Sequence, residues 1–131
     1  MMTDPISDML TQIRNALAVK KPEVVLPYSK FKHALADLLQ KNGWLSRVES
    51  AADGKFKTLK LILKYDGAGM PTISGVRRIS KPGQRMYAAV TRIPRVMLGT
   101  GATIVSTSRG LMTADQARAE KLGGELICEI W

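Results

Sequence analysis

Acidic residues are scarce in this chain, and over one long stretch they are missing altogether. Of 131 residues, 20 are Lys or Arg and 11 are Asp or Glu, a formal charge of +9. Between Gly67 and Ala114, seven basic residues (Arg77, Arg78, Lys81, Arg85, Arg92, Arg95 and Arg109) meet no acid. A field of that sign favours a polyanion, and the arginines offer the planar fork suited to phosphate. The single cysteine, Cys128, excludes an internal disulfide and a cysteine-based metal site, and is read as a small core residue. The single histidine, His33, falls opposite the apolar stripe of a predicted helix, so it is expected in solvent. The acids of the second half are few and terminal. No catalytic residues, metal, cofactor or small-molecule substrate are therefore expected. No apolar run approaches the roughly 18 residues of a membrane span, and nothing resembles a signal peptide. The expectation is a soluble, cytoplasmic protein without a membrane partner.

What the chain does have is a stretch from Gly99 to Gly110 in which Ile104 and Val105 lead through Ser106, Thr107 and Ser108 to Arg109. Ile104 and Val105 favour a strand and Gly110 a turn. In extended backbone, Ser106 and Ser108 share a face and Thr107 points away. Hydroxyls beside an arginine suit phosphate, ribose or base edges, although the same residues also commonly end a strand. Gly99-x-Gly101 lacks the continuation of either a dinucleotide fingerprint or a P-loop.

Along the chain, Asp4-Pro5 reads as a cap and first turn. Ile6, Met9, Leu10, Ile13 and Leu17 recur at helical spacing, predicting a helix to about Val19 with Arg14 and Asn15 beside the stripe. Val24 to Leu26 predicts a strand. Ser29 predicts the cap of a helix with Phe31, Leu35, Leu38 and Leu39 inward, ended by Asn42-Gly43. Lys30 and Lys32 stand at its start, where the dipole disfavours cations, which hints at an anionic partner. Strands over 44–49 and 56–65 are joined through Asp53-Gly54, and Asp66 to Pro71 reads as the domain boundary. A strand over 72–79, a turn at Lys81-Pro82-Gly83, a strand over 86–90 carrying Tyr87 and a break near Pro94 follow. Thr113 and Gln116 form a capping box for a short helix ending at Gly123-Gly124, and 126–131 is a last strand.

Taken in order, Asp4-Pro5-Ile6, Asp8-Met9-Leu10, Ile13-Arg14-Asn15, Ser80-Lys81-Pro82-Gly83, Tyr87, Gly99 to Gly110, Met112-Thr113 and Gly123-Gly124-Glu125 near Cys128 span almost the whole chain. The sequence resembles the bacterial small-subunit ribosomal protein S-eight family. The resemblance implies an α+β fold of two small domains. One is an N-terminal helix-strand-helix-strand-strand unit over 1–66, and the other an rRNA-binding, mostly antiparallel β unit with one short helix over 67–131. It implies a primary binder of the central domain of the small-subunit rRNA that helps assembly, bound in the ribosome beside neighbouring small-subunit proteins. Some members also bind and repress their own messenger RNA. Ser106, Thr107, Ser108, Tyr87 and Glu125 would form the C-terminal RNA surface, with Arg14, Asn15, Lys30 and Lys32 candidates for an N-terminal one. Arg92 and Arg109 are added as phosphate contacts from the basic run. Glu125 can accept from base amino groups or orient nearby basic groups or hydroxyls, and Tyr87 can meet RNA or pack in a core. Ala88, Ala89 and Val90 follow Tyr87 where the family pattern leads one to expect charge, which weakens ionic contacts from that edge. The competing reading from charge alone is a non-specific nucleic-acid chaperone.

Overall fold

The structure, a computed structural model, describes residues 4–89 and 101–131. By packing, the chain divides into two compact units: Asp8–Ile73, and Ser74–Trp131 together with the chain start through Ser7. Each combines helix with antiparallel sheet, the α+β class expected.

Helix α1 (Pro5–Ala18), which belongs to the first unit from Asp8 onward, opens on Asp4, whose Oδ1 accepts from Ser7 N at 3.2 Å. Met9, Leu10, Ile13, Ala16 and Leu17 are buried, as the spacing demands. Strand β1 (Glu23–Pro27) leads to α2 (Lys30–Lys41), capped by Ser29 Oγ accepting from Lys32 N. The helix ends at Asn42, followed by Gly43 in the left-handed region (φ +81°). Leu35, Ala36, Leu38 and Leu39 are buried but Phe31, expected inward, is exposed. Helical side chains lean toward the N-terminus, so a first-turn residue overhangs the end of its stripe. Strands β2 (Leu45–Asp53) and β3 (Phe56–Leu63) complete a sheet ordered β1-β3-β2. Leu59, Leu61 and Leu63 line its buried face. The hairpin turns on Gly54-Lys55, one residue later than expected, because Asp53 pairs with Phe56 and Gly54 takes the positive φ (+62°).

His33 is also not free in solvent. Its Nδ1 meets Tyr28 Oη at 3.3 Å and its Nε2 lies 3.5 Å from Asp37, and the side chain is half-buried. At the Asp66–Pro71 segment the turn is tied by Asp66 Oδ1, which accepts from Ala68 N and Met70 N.

The second unit is built on β8 (Gly124–Ile130). One edge of β8 pairs with β6 (Ala102–Thr107), which pairs in turn with β7 (Gly110–Thr113). The other edge takes β4 (Val76–Arg78) along its C-terminal half and β5 (Tyr87–Ala88) along its N-terminal half. Helix α3 (Ala114–Ala119) starts from the expected Thr113–Gln116 capping box. It stops at Glu120, with Lys121 rather than the later glycines turning the chain (φ +58°). Val105, Met112, Ala114, Ala117 and Leu126 form a core flanked by Ile79, Ala88 and Leu122. Cys128 is fully buried, and burial pushes its thiol up to about 12.

The strand expected over 72–79 shrinks to Val76–Arg78. Ser74 N and Gly75 N both donate to the Trp131 carbonyl, and the indole lies over Gly75, where an added Cβ would stand 2.5 Å from Trp131 Cζ2. Those backbone groups are committed to the end of the chain instead of a strand partner. Val90, Arg92, Pro94 and Arg95 lie outside the described residues.

Candidate nucleic-acid interface

Direct opposition across antiparallel strands puts side chains on one face. Tyr87 on β5 opposes Glu125 on β8, Glu125 opposes Ser106 on β6, and Ser106 opposes Leu111 on β7. Ser106, Glu125 and Tyr87, from three separate parts of the sequence, therefore form one row. The opposite face at the neighbouring positions carries Val105, Leu126 and Met112 of the core. Within the row Tyr87 is 70% exposed, while Ser106 and Glu125 are half-buried.

The row is braced from beneath by a residue that sequence reasoning did not assign. Ser80 is fully buried; its Oγ donates to Glu125 Oε2 at 2.5 Å and accepts from Met86 N at 3.1 Å. Arg85 Nη1 donates to the same oxygen at 3.1 Å. One hydroxyl thus fixes the carboxylate and the start of the strand that carries Tyr87. The bonds from Ser80 and Arg85 both go to Oε2, and the Glu125 side chain is 19% exposed. The signal in the sequence was Ser80 immediately before the Lys81-Pro82-Gly83 turn, where the chain reverses toward β5.

Ser106 and Ser108 do not share a strand face. Thr107 pairs with Gly110, so Ser108 and Arg109 are the central residues of a two-residue turn, with Gly110 at φ +104°. Thr107 Oγ1 donates to Gly110 O at 2.9 Å and accepts from Arg109 N at 3.1 Å, closing that turn. Its hydroxyl points into the turn, neither inward to a core nor outward to a ligand. Ser108 is exposed, and Arg109 reaches only a loose surface pair with Glu120 at 3.5 Å.

The one-signed surface expected from the basic run is corrected by long-range pairing. Arg77 pairs with Glu129, Arg78 with Asp4, Arg85 with Glu125 and Arg109 with Glu120. The Arg78 side chain is only 8% exposed, with Nη1 on the Ile127 carbonyl at 2.7 Å. It holds the unit together. Among the candidates in the other unit, Arg14 and Asn15 are exposed on α1, Asn15 on the rim of an open groove lined also by Gln12, Val19 and Val25. Lys30 is exposed at the start of α2, while Lys32 Nζ donates to Pro27 O at 3.2 Å. Arg92 lies outside the described residues. No helix among the described residues is long and apolar enough to cross a membrane.

In this α+β protein the row of Ser106, Glu125 and Tyr87, with the Ser108-Arg109 turn at the end of β6, gathers hydroxyl, carboxylate, phenol and guanidinium groups that can donate or accept hydrogen bonds. The family model of Ribosomal protein S8 matches residues 4–131, and the chain belongs to that family. It is a structural ribosomal protein, not an enzyme. A Small ribosomal subunit protein uS8 of Desulforamulus reducens is 49% identical over 130 residues, covering 99% of this chain and 98% of its own. One from Caldanaerobacter subterraneus is 51% identical over 130 residues with the same coverage, and one from Solibacter usitatus 44% over 131 residues, the full length of both.

Proposed function

We propose that this chain is a component of the small ribosomal subunit that binds structured rRNA of its central domain directly and helps that domain assemble. Residues 67–131 carry the recognition. What supports the reading most is the Ser106–Glu125–Tyr87 row, braced by Ser80 and ended by the Ser108-Arg109 turn, in a ribosomal protein of net charge +9. Hydroxyl and carboxylate acceptors read amino and 2′-hydroxyl groups, the phenol stacks or bonds, and arginine takes phosphate. Arg14, Asn15, Lys30 and Lys32 supply further contacts from the other unit, and Arg92 a further phosphate contact. Neighbouring small-subunit proteins are its other partners, its place is on cytoplasmic ribosomes, and a messenger helix resembling the rRNA site would make it a repressor of its own translation.

Filter binding of the full chain to small-subunit rRNA across a salt series tests this. Ser106→Ala should weaken cognate binding by about 0.5–1.5 kcal/mol without changing the salt slope. Arg109→Ala should lower the slope by about one counterion. Thr107→Ala should lower the melting temperature more than the affinity of the folded fraction, because its hydroxyl is spent on the turn. A non-specific chaperone would lose cognate and competitor RNA equally in the Ser106 variant, and that result would defeat the proposal.

A further inference from the structure

Phe56 is the most exposed large hydrophobic residue among those described, at 79%. It closes the two-residue turn of the β2–β3 hairpin, on the sheet face opposite Leu59, Leu61 and Leu63, and its neighbours on either side are Lys55 and Lys57. Lys57 reaches the other way, its Nζ 3.9 Å over the Tyr28 ring, while Tyr28 N donates to the Lys57 carbonyl at 3.0 Å. Those two contacts tie the hairpin to the start of α2, so Lys30 and Lys32 stand at the same end of the sheet. The first turn of α2 contains no acid to offset them. Among the described residues neither Lys55 nor Lys30 is paired with a carboxylate, and Asp53 is the one acid of the tip sequence.

We propose that this hairpin tip is a stacking site for one unpaired nucleotide of RNA, with the base on the Phe56 ring and its flanking phosphates near Lys55 and Lys30. The inference rests on the RNA-binding reading above and adds to it a site in the other unit. A nucleotide offers the ring the flat face of its base and brings the negative charge of its phosphates to the lysines, the combination used on single-stranded nucleic acid. A duplex offers no free base face, so the nucleotide must lie in a loop, bulge or end. A protein partner fits less well, because lysine is depleted from the cores of protein interfaces.

The test uses the full chain and small-subunit rRNA, with affinity by filter binding and base accessibility by chemical alkylation. Phe56→Leu removes the ring and keeps apolar bulk. It should weaken binding about five- to tenfold, leave the salt slope and melting temperature unchanged, and restore alkylation at one unpaired base that the parent protects. Phe56→Tyr should bind and protect as the parent does. Lys55→Ala should lower the salt slope by about one. Equal affinity and protection in the parent and Phe56→Leu, with Ser106→Ala still weakened, overturns this site while leaving the sheet-face reading intact. Failure of the parent itself to bind removes both. Normal rRNA binding by Phe56→Leu with poor incorporation into subunits would put a protein on the ring and also overturn the proposal.

Discussion

Arg78→Ala should lower the unfolding free energy of the C-terminal unit by about 3–5 kcal/mol, the range for breaking a buried ion pair from one side. The Arg78 side chain is 8% exposed and the Asp4 side chain 19%, and the guanidinium divides its donors between the Asp4 carboxylate and the Ile127 carbonyl, so removal costs both acceptors a charged donor. Arg78→Lys should not rescue, since a single ammonium cannot span both partners as the fork does. Asp4→Asn alone keeps a capping oxygen for α1 but leaves the arginine unpaired, and Arg78→Met with Asp4→Asn should recover much of the loss. Urea unfolding in a Trp44→Phe background, where Trp131 is the remaining tryptophan, reads this unit. A change under about 1 kcal/mol would mean that the pair is open to solvent.

Gly124→Ala should be nearly as damaging, and it should remove RNA binding along with stability. A Cβ at Gly124 would run into the Ser106 carbonyl and stand 3.2 Å from Val105 Cγ1. The nearest obstacle is backbone, which cannot rotate aside, so β6 and β8 must separate beside Ser106 and Glu125. Overpacking of a core side chain costs about 1–3 kcal/mol, and a backbone clash belongs at or above the top of that range. Unlike Ser106→Ala, the variant should lose affinity even in its folded fraction, because the row of Ser106, Glu125 and Tyr87 depends on that strand pairing. Wild-type affinity in folded Gly124→Ala would show that the row is not the contact surface.

Much of the fold could be read from local chemistry. The caps at Asp4, Ser29 and Thr113, the alternating leucines of β3 and the Lys81 turn each depend on residues within a few positions of one another, and each stands where expected. The misreadings share a different cause. Arg78 and Asp4 are 74 residues apart, and Ser80 and Glu125 are 45 apart, so neither bond is visible in the run of charge or in the turn that contains one partner. The strand at 72–79 is shortened to Val76–Arg78, with Ser74 and Gly75 bonded to the carbonyl of Trp131, which no local pattern announces. Ser108 left the strand because one residue of register decides between strand and turn, and Gly110 takes the positive φ that closes the hairpin there. That Ser106, Glu125 and Tyr87 stand side by side was not legible, since the row is made by strand order.

The buried thiol of Cys128 makes the molecule its own clock. With its pKa held near 12 by burial, against 9.0 when free, it presents almost no thiolate while the sheet is closed. A thiol reagent in excess therefore counts openings, and the labelling rate is the intrinsic rate scaled by the fraction of time the unit spends open. If that opening is global, Arg78→Ala should speed labelling by about two to three and a half powers of ten, the same 3–5 kcal/mol read without denaturant. The pH dependence has a fixed sign: because the closed state holds its proton more tightly, stability declines as pH climbs from 9.0 toward about 12. Carried out on assembled subunits, the same measurement would time how often this unit breathes inside the ribosome.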